Sequence, residues 1–517
     1  MVLGQENGNA AAYFIDRHVA AGRGEAVAFV ECGQEGRRLS YADLSREAGR
    51  MADLFSRHGV RREDRAAMIV LDQIEFPVIF WGALKAGVVP VPLNTLLSAD
   101  YYEIILADSR AKALFVSREL LPVVAPILGR LPELATVFVV GGAADGHADF
   151  AAELAKSRDG GTVEASADEC AFWLYSSGST GRPKGVRHLH GSLKATADTF
   201  GAQILDMQAD DVVLSAAKLF FAYGLGNAMT FPMAAAATAA LFKGRPTPDD
   251  MFAAIAQIRP TIFCGVPTLY AAMVAAAGGV RPDGMDRLRL CVSAGEALPA
   301  EIGNGWKAAT GVDIIDGVGS TEMLHIFLSN APGDIVYGTS GVAVPGYALR
   351  LVDETGREVG VGEVGELLVD GPSAAENYWN QREKSRSTFE GRWTRTGDKY
   401  ERTAEGRFVY CGRTDDMFKV SGIWVSPFEV EQALVTHPEV LEAAVVADRD
   451  ETGLEKPRAF VVLKNKAAGD GLEQALKDHV KAKVGAWKYP RRIDFVPDLP
   501  KTATGKIQRF KLRQGAA

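Results

Sequence analysis

The N-terminal half of the chain alternates short apolar runs with amphipathic stretches. Residues 40–59 predict a helix, because apolar side chains recur on one face, Ser40 can cap its start and Gly59 can end it. A second helix is predicted over residues 77–86. Predicted strands cover 66–71, 113–117, 136–140, 261–266 and 288–295. Short apolar strands separated by helices predict an α/β fold with layered, largely parallel sheets.

The C-terminal fifth of the chain has a different order of elements. A strand pair is predicted at 408–411 and 417–420, followed by helix, strand, strand, helix and strand. These five elements cover 427–436, 442–447, 458–463, 472–484 and 492–496. Charged residues cluster near 413–416, so we predict a large multi-subdomain N-terminal domain, 1–413, and a small α+β C-terminal domain, 414–517.

Composition excludes several classes of protein. Hydrophobic residues make up 47% of the 517 residues, which excludes a disordered or fibrous chain. The longest apolar run, 228–242, is shorter than the ~18–20 residues of a membrane span and predicts a buried core helix. No signal peptide is expected, because the first residues lack a basic segment followed by an apolar one.

Charge and cysteine content limit the partners further. The net charge of −8, without a basic block, argues against general nucleic-acid binding but leaves room for a local polyanion site. Five scattered cysteines without a CxxC pair favour a reducing cytoplasm over a disulfide framework or a zinc site. We therefore expect a cytoplasmic protein with neither a nucleic-acid nor a membrane partner.

The strongest chemical signal is YSSGSTGRPKG, residues 175–185, which follows an apolar strand. Its glycines allow the backbone to approach a phosphate, its hydroxyls can donate hydrogen bonds, and Lys184 adds positive charge. The spacing differs from GxxxxGK[ST], so a P-loop NTPase is not implied. The alternative interpretation is a flexible Gly/Ser surface loop.

This loop resembles the phosphate-binding loop of the adenylate-forming superfamily, which includes acyl- and aryl-CoA ligases, luciferases and peptide-synthetase adenylation domains. The resemblance spans nearly the whole chain, because five further motifs follow in the family's order. They are VSAGEALP (292–299), DGVGSTE (316–322), TGD (396–398), GRTDDMFKVSGIWVSPFEVE (412–431) and PKTATGKIQ (500–508). Residues 216–233 and 319–330 resemble the benzoate–CoA ligase branch, as does aliphatic Val318 where most members carry an aromatic residue.

The resemblance implies a two-step ligase that uses ATP, Mg²⁺ and CoA. A carboxylate attacks the α-phosphate, and because both groups are anions, cations and aimed donors must offset their repulsion. Glu322 matches the magnesium ligand, Lys506 the adenylation lysine, and Asp415 the hinge of a mobile C-terminal domain. Thr180 matches a residue that can hold phosphate oxygens, and Asp398 with Arg413 resembles the ribose-binding pair. The implied nucleotide-binding residues are Ser176, Ser177, Gly178, Ser179, Thr180, Gly181, Lys184, Ala294, Gly295, Glu296, Asp316, Gly317, Thr321, Asp398, Arg413 and Lys506.

The acid pocket implied by the resemblance combines small residues, expected to leave a slot, with aromatic and aliphatic walls. A flat slot suits a benzene ring better than a fatty chain. His325 can orient the carboxylate, bind a ring substituent as Tyr223 also can, or be a satisfied core histidine. The pocket residues are Ala222, Tyr223, Gly224, Phe231, Gly319, His325 and Ile326.

After domain rotation, the family places a second loop at the active site for the CoA thiol. Lys419, Gly422 and Trp424 match that loop, although Trp424 can equally serve interdomain packing. The basic stretch KYPRR (488–492) is a candidate contact for the CoA nucleotide or a solvated face.

The leading hypothesis is a benzoate–CoA ligase of aromatic-compound degradation, acting as a monomer or homodimer. The alternatives are a hydroxybenzoate– or aminobenzoate–CoA ligase, and an adenylating enzyme that loads a carrier protein. A carrier domain is absent from the sequence, which argues against the last. A nucleotide-binding regulator is a further alternative, but it has no need of Lys506, Glu322, Asp398 and Arg413 together.

Overall fold

The protein is described by a computed structural model that covers residues 7–33, 36–144, 146–177, 183–420, 423–449, 455–465, 469, 471–485, 488–501 and 507–513. The chain divides into two compact units. The first comprises Met1–Leu349 with Val369–Arg395, and the second comprises Arg350–Leu368 with Thr396–Ala517. The boundary predicted at 413/414 and the mobility of the C-terminal domain stay predictions.

Two large sheets organise the first unit. The central strands of a nine-stranded sheet run parallel, with antiparallel partners at both edges. In spatial order they are Val342–Ala343, Ile326–Ser329, Ile314–Gly319, Leu290–Ala294, Ile262–Gly265, Val212–Ser215, Thr238–Leu241, Val27–Glu31 and Arg38–Ser40. The second sheet is wholly parallel, in the order Val89–Pro92, Arg65–Ile69, Ala113–Ser117, Thr136–Val140 and Ala148–Asp149. The predicted α/β class with largely parallel sheets is confirmed.

Helices cover these sheets, and their starts follow local capping rules. Ser40 Oγ accepts a 3.1 Å hydrogen bond from Asp43 N, as predicted, although Arg50 divides the predicted helix into two assigned segments. The α-helices are Arg17–Ala20, Tyr41–Gly49, Met51–Arg57, Glu75–Ala86, Ala99–Ser109, Leu121–Leu128, Phe150–Ala155, His190–Thr196, Ala222–Leu225, Phe231–Ala234, Pro248–Ile258, Pro267–Ala277, Ala300–Thr310 and Arg382–Thr388. A 3₁₀ turn at Arg118–Leu120 and π-helical turns at Ala12–Asp16, Ala197–Ile204 and Gly226–Thr230 complete the set.

The apolar run 228–242 is not a single core helix, so that prediction was wrong. The π-helical turn Gly226–Thr230 leads into the short helix Phe231–Ala234, and strand Thr238–Leu241 follows. Ala236 adopts a φ of 58°, in the left-handed region, which turns the chain out of the helix. The run is largely buried, because both of its parts pack inside the unit.

The predicted pairing of strands 408–411 and 417–420 was also wrong. Strand Phe408–Arg413 pairs with Trp393–Arg402, while Phe418–Val420 pairs with Ile423–Val425. The tight turn between Thr403 and Arg407, closed by a 2.8 Å hydrogen bond from Thr403 N to the Arg407 carbonyl, selects the first pairing. Strands Ala348–Val352, Val364–Asp370 and Phe389–Glu390 join the same five-stranded sheet.

The C-terminal α+β elements lie close to their predicted positions. Helices Pro427–Val435 and Leu472–Val484 pack with a sheet of Val440–Arg449, Glu455–Leu463 and Arg492–Phe495 around a common apolar core. A last short helix, Arg509–Arg513, follows the lysine motif. Among the described residues of the whole chain, no helix is long and apolar enough to cross a membrane.

Candidate nucleotide and acid sites

The predicted phosphate loop is carried by an antiparallel hairpin of strands Cys170–Ser177 and Pro183–Leu189, with Ser176 opposite Lys184. The hairpin is held against helix Ala99–Ser109, because the Tyr175 hydroxyl donates a 2.6 Å hydrogen bond to Asp108 Oδ2. Ser176 Oγ is buried and has no hydrogen-bond partner among the described residues, as expected of a hydroxyl meant for a ligand. The side chain of Ser177 and the predicted residues Gly178, Ser179, Thr180 and Gly181 lie outside the described residues.

Lys184, Glu322 and Tyr378 form one cluster in the first unit. The Tyr378 hydroxyl donates a 2.7 Å hydrogen bond to Glu322 Oε1, and Lys184 Nζ lies 3.5 Å from the same oxygen. Lys184 Nζ also lies 3.3 Å from the Tyr378 hydroxyl and 4.4 Å from the centre of its ring. Burial acts to raise the pKa of Glu322, but the Lys184 charge and the Tyr378 hydrogen bond hold it below its ordinary value. Glu322 is therefore a carboxylate at neutral pH.

This cluster fits a magnesium ion. A hard divalent cation prefers carboxylate oxygens, and Glu322 offers such oxygens in a mostly buried position. The Lys184 ammonium already lies beside this carboxylate, so the position accepts a positive charge. The magnesium role stays a prediction, and it needs further oxygens from the nucleotide or water. No cluster of three His, Cys, Asp or Glu side chains that could hold a metal by itself is found among the described residues.

The predicted adenine-side residues meet at the carboxyl ends of two adjacent parallel strands. Strand Leu290–Ala294 ends at Ala294, with Gly295 and Glu296 following, and strand Ile314–Gly319 contains Asp316 and Gly317. Ligands of parallel α/β sheets bind at this edge. Thr321 follows the second strand, one residue before Glu322.

Asp316 is the chemically unusual member of this group. Its side chain is 4% exposed, Oδ2 accepts a 3.3 Å hydrogen bond from Leu298 N, and Oδ1 has no hydrogen-bond partner among the described residues. Burial raises the pKa of Asp316 to about 8. An orphaned, mostly neutral carboxyl oxygen at this edge is suited to accept a hydrogen bond from an amino group such as that of adenine.

His325 lies at the centre of the predicted acid pocket, with ring centroids of Phe231, Phe200 and Tyr223 at 4.5, 5.3 and 5.7 Å. Its Nε2 lies 3.2 Å from the Tyr223 carbonyl, which can only accept, so Nε2 carries the proton. Nδ1 is then a bare acceptor, and it is buried without a partner among the described residues. Burial lowers the pKa of His325 to about 3, so the ring is neutral.

The Tyr223 hydroxyl is already engaged. It lies 2.9 Å from the Val292 carbonyl and 3.1 Å from the Gly265 carbonyl, so its single proton is shared between two acceptors. Burial raises the pKa of Tyr223 well above its usual range. Tyr223 therefore has no proton left to give to a substrate, and only its oxygen can act as an acceptor.

The predicted slot residues do more than leave space. A Cβ on Gly224 would overlap the Lys218 carbonyl, and one on Gly319 would lie 2.6 Å from the His325 carbonyl. Glycine is thus required by close backbone packing at both positions, which is a reason that the sequence did not reveal. Ala222 opens the helix that contains Tyr223, and Ile326 begins the strand beside Gly317.

The predicted ribose pair lies in the second unit. Asp398 and Arg413 face each other across two strands, with Arg413 Nη1 3.0 Å from Asp398 Oδ1. Asp415 is exposed in the turn that follows. Lys419 and Trp424 lie opposite each other in the strand pair beyond, but their side chains, together with Gly422 and Lys506, lie outside the described residues. Their roles stay predictions.

The basic stretch 488–492 is largely occupied by contacts of its own. Lys488 Nζ lies 2.5 Å from Glu429 Oε2, and Arg492 Nη2 lies 2.8 Å from Asp494 Oδ1. The Arg491 guanidinium stacks 3.6 Å from the Tyr489 ring centre. These contacts favour a solvated face, in which the basic side chains pair with their neighbours, over a contact for the CoA nucleotide.

Two site residues were missed by the sequence reasoning. Tyr378 reaches Glu322 because strand Asn377–Tyr378 pairs with Pro183–Leu189, a contact across 192 positions of sequence between Tyr378 and Val186. Asp108 lies near the end of helix Ala99–Ser109 and accepts a hydrogen bond from Tyr175, which is also distant in the sequence. No local sequence pattern predicts either contact, because each joins segments that are far apart in the chain.

Comparison with known proteins agrees with the fold and the motifs. The family profile of the AMP-binding enzyme matches residues 16–379, and that of the AMP-binding enzyme C-terminal domain matches residues 429–506. A 4-hydroxybenzoate–CoA/benzoate–CoA ligase of Rhodopseudomonas palustris is 52% identical over 98% of this chain and 94% of its own. A benzoate–CoA ligase of Thauera aromatica is 52% identical over 98% of this chain and 96% of its own.

A solved structure gives the same result. The crystal structure of a benzoate CoA ligase from Burkholderia xenovorans LB400 superposes with a TM-score of 0.89 at 47% identity, covering 98% of this chain and 99% of that one. Ordered motifs, a hairpin-borne phosphate loop and matches to both profiles therefore lead to one conclusion. The chain belongs to the family of AMP-binding, adenylate-forming enzymes, with a large N-terminal domain and a small C-terminal one.

Proposed function

We propose that the protein is an ATP-dependent aryl–CoA ligase that acts on benzoate. The observation that carries this proposal is the segment 319–326, which bears both the Glu322 carboxylate of the cation cluster and the His325 ring of the aromatic pocket. The two are three positions apart in the sequence, so an aromatic acid in the pocket would lie next to the charges that a nucleotide triphosphate needs. The similarity to ligases named for benzoate and 4-hydroxybenzoate supports the same substrate class.

The reaction has two steps. In the first, a carboxylate oxygen of the acid forms a bond to the α-phosphorus of ATP, and the bond to pyrophosphate breaks. In the second, the CoA thiol loses its proton and attacks the carbonyl carbon of the acyl-adenylate, so that AMP leaves with the oxygen. Magnesium, when bound, supplies positive charge that offsets the repulsion between triphosphate and carboxylate.

The chain's own residues bind and orient. Glu322 would hold the metal, with its carboxylate fixed by the Tyr378 hydroxyl. Asp316 accepts from the base through Oδ1, while Asp398 accepts from the ribose hydroxyls with Arg413 holding it in place. Lys506 supplies a donor to the developing charge, in keeping with the family motif. Preorganised donors of this kind typically contribute about 10²–10³ in rate.

The pocket geometry bears on the choice among benzoates. His325 is neutral, and its free nitrogen accepts hydrogen bonds, so it cannot bind a carboxylate. A hydroxyl or amino group on the ring is the substrate group that Nδ1 can satisfy. This favours a second candidate function, a ligase that takes hydroxybenzoate or aminobenzoate as well as benzoate.

The setting is proposed as the cytoplasm, where ATP and CoA are available. All five cysteines are free thiols, as a reducing compartment requires. Loading of a carrier protein stays the less favoured alternative, and it predicts activity that does not depend on free CoA.

The test is CoA- and acid-dependent AMP release, with chromatographic identification of the thioester. The acids are benzoate, its hydroxy, amino and fluoro derivatives, cyclohexanecarboxylate and hexanoate, and Lys506→Ala is the control. We expect benzoate or a hydroxybenzoate to lead and the variant to lose about 10²-fold or more of the first step. A lead for hexanoate contradicts the aromatic pocket, and turnover without CoA favours carrier loading.

A further inference from the structure

The second unit contains an ion cluster that the reaction as proposed does not use. Glu431, in helix Pro427–Val435, is 5% exposed and accepts hydrogen bonds from Arg509 at 2.7 and 2.9 Å through Nη2 and at 3.1 Å through Nε. Its Oε1 also accepts a 2.7 Å hydrogen bond from Val445 N. A buried carboxylate in a fork with arginine and a backbone donor holds both partners in one geometry.

The same arginine reaches the hinge. Arg509 Nη1 lies 3.5 Å from Asp416 Oδ2, and Arg513, one helical turn on, pairs with Asp416 Oδ1. Asp416 follows Asp415, the residue that matches the family hinge. Its backbone N donates a 3.1 Å hydrogen bond to the Arg413 carbonyl, so the turn itself is ordered. Arg509 therefore joins the residue after the hinge to the core of the small domain.

The lysine motif is fixed at its ends by the same region. Lys501 and Ile507 form an antiparallel bridge, and Gln508 N donates a 2.7 Å hydrogen bond to the Pro500 carbonyl. Leu512 is buried in a small core with Phe460 and Leu499. Ile507, which directly follows Lys506 in the sequence, is held by this bridge.

We propose that Arg509 is a positioning residue for the first step, linking Asp416 at the hinge to the segment that carries Lys506. In this proposal Arg509 ties Asp416 and Glu431 to the segment that begins at Ile507, directly after Lys506. The inference rests on the proposed function, since it needs Lys506 to act in adenylation. Arg509 touches neither substrate nor nucleotide in this role, and it acts only through the placement of the lysine.

The test compares Arg509→Met and Arg509→Lys with a matched control, Arg458→Met, in the full-length protein. Arg458 has the same 20% side-chain exposure as Arg509 and also joins two carboxylates, with Nε 2.7 Å from Asp494 Oδ2 and Nη1 3.6 Å from Asp448 Oδ2. No hydrogen bond or ion pair joins it to the described residues of the hinge or of the lysine motif. Both methionine variants should therefore lose similar thermal stability.

Two half-reactions are measured for each variant. The first is acid-dependent exchange of pyrophosphate into ATP without CoA, and the second is thioester formation from supplied benzoyl-AMP and CoA. We expect Arg509→Met to lower kcat of the first step about 10²-fold, with KM for ATP and benzoate within about threefold. Arg509→Lys should recover only part of this rate, because an ammonium group cannot form the fork with Glu431. The second step should change less than about tenfold, since it does not use the lysine.

The outcomes separate the two proposals. If Arg509→Met keeps exchange within about threefold of the parent, or if Arg458→Met loses it equally, the positioning role is wrong. If the parent enzyme itself shows no exchange with any aromatic acid, the proposed function fails instead. Loss of both half-reactions in proportion to the fall in melting temperature also overturns the positioning role, because it indicates only a loss of stability.

Discussion

The Tyr378 hydroxyl donates a 2.7 Å hydrogen bond to Glu322 Oε1, the same oxygen that lies 3.5 Å from Lys184 Nζ. One carboxylate oxygen is thus held by a neutral donor and a cation from two different segments of the chain. Lys184 belongs to the predicted phosphate loop, so its ammonium would pair with a phosphate if Glu322 held a metal ion, while the Tyr378 hydroxyl would keep the carboxylate in place. The cluster therefore suits an exchange of one cation for another.

Tyr378→Phe tests this arrangement. Removing a hydroxyl that donates to a charged acceptor costs about 1.5–3 kcal/mol, so the Mg²⁺ concentration for half-maximal activity should rise about tenfold to 10²-fold. At saturating Mg²⁺, kcat should stay within about threefold of the parent. Tyr101→Phe, at an exposed tyrosine, is the control, and titration of ATP binding with Mg²⁺ by calorimetry gives a second readout. An unchanged Mg²⁺ dependence contradicts the role of Tyr378.

Asp316 predicts a pH-dependent stability. Its pKa rises from 3.8 to about 8 on folding, so between these values the folded state holds a proton that the unfolded chain has lost. The free energy of unfolding therefore falls as pH rises through this window, and Asp316 has no effect below it. Asp316→Asn removes the titration, so its melting temperature relative to the parent should rise by roughly 2–4 °C between pH 5 and pH 8.

The same substitution has an expected functional outcome. An asparagine carbonyl accepts a hydrogen bond from adenine as the carboxyl does, so KM for ATP should stay within about threefold of the parent. Asp316→Leu lacks the acceptor and should raise that KM by about tenfold. Parallel melting curves for parent and Asp316→Asn across this pH range contradict the raised pKa.

Substitution of Gly226 is expected to weaken binding of the acid without changing binding of the nucleotide. A Cβ at this position would lie 2.6 Å from His325 Nε2, and the backbone φ of −63° is one that alanine adopts freely. Gly226→Ala should therefore displace the imidazole, and KM for benzoate should rise about tenfold while KM for ATP changes less than about threefold. Gly129→Ala is the matched control, since nothing lies within 4 Å of its Cβ position. Equal changes in both constants contradict this account.

His325→Gln tests the acceptor at Nδ1. Glutamine keeps a donor for the Tyr223 carbonyl but has no atom at the Nδ1 position. The ratio of kcat/KM for the best hydroxybenzoate to that for benzoate should fall roughly tenfold, because the substituent loses its partner. An unchanged ratio with both substrates slowed indicates that His325 shapes the pocket for every acid alike.

Sequence reasoning placed the elements well where local signals were strong. The predicted helix 472–484 and strand 113–117 match the structure residue for residue. Their signals are local, because Gly471 and Gly485 flank the helix and the strand is one short, fully buried run. It failed at 228–242, where alanine-rich sequence suits a helix but the left-handed Ala236 and pairing with Val212–Ser215 make the last part a strand. Strand pairing depends on distant partners, which a single segment does not specify.

In the candidate site, too, sequence motifs identified the residues, but only the packed structure shows their hydrogen bonds. The identity of Glu322 and His325 as candidates came from motif order, whereas the proton positions on His325 and Tyr223 came only from their neighbours. The structure gives a further reason for Gly224, since a Cβ there would overlap the Lys218 carbonyl, while its role in leaving a slot stays a prediction. Hydrogen-bond direction, burial and backbone approach are properties of the packed chain, so sequence alone could not supply them.

The central claim is that a carboxylate oxygen attacks the α-phosphorus of ATP. We would measure it with benzoate carrying ¹⁸O in both carboxylate positions, ATP, Mg²⁺ and CoA, followed by mass spectrometry of the nucleotide. The account predicts that each AMP carries one ¹⁸O atom and that one benzoyl-CoA forms with it. Unlabelled AMP, or release of ADP and phosphate in its place, would contradict the account.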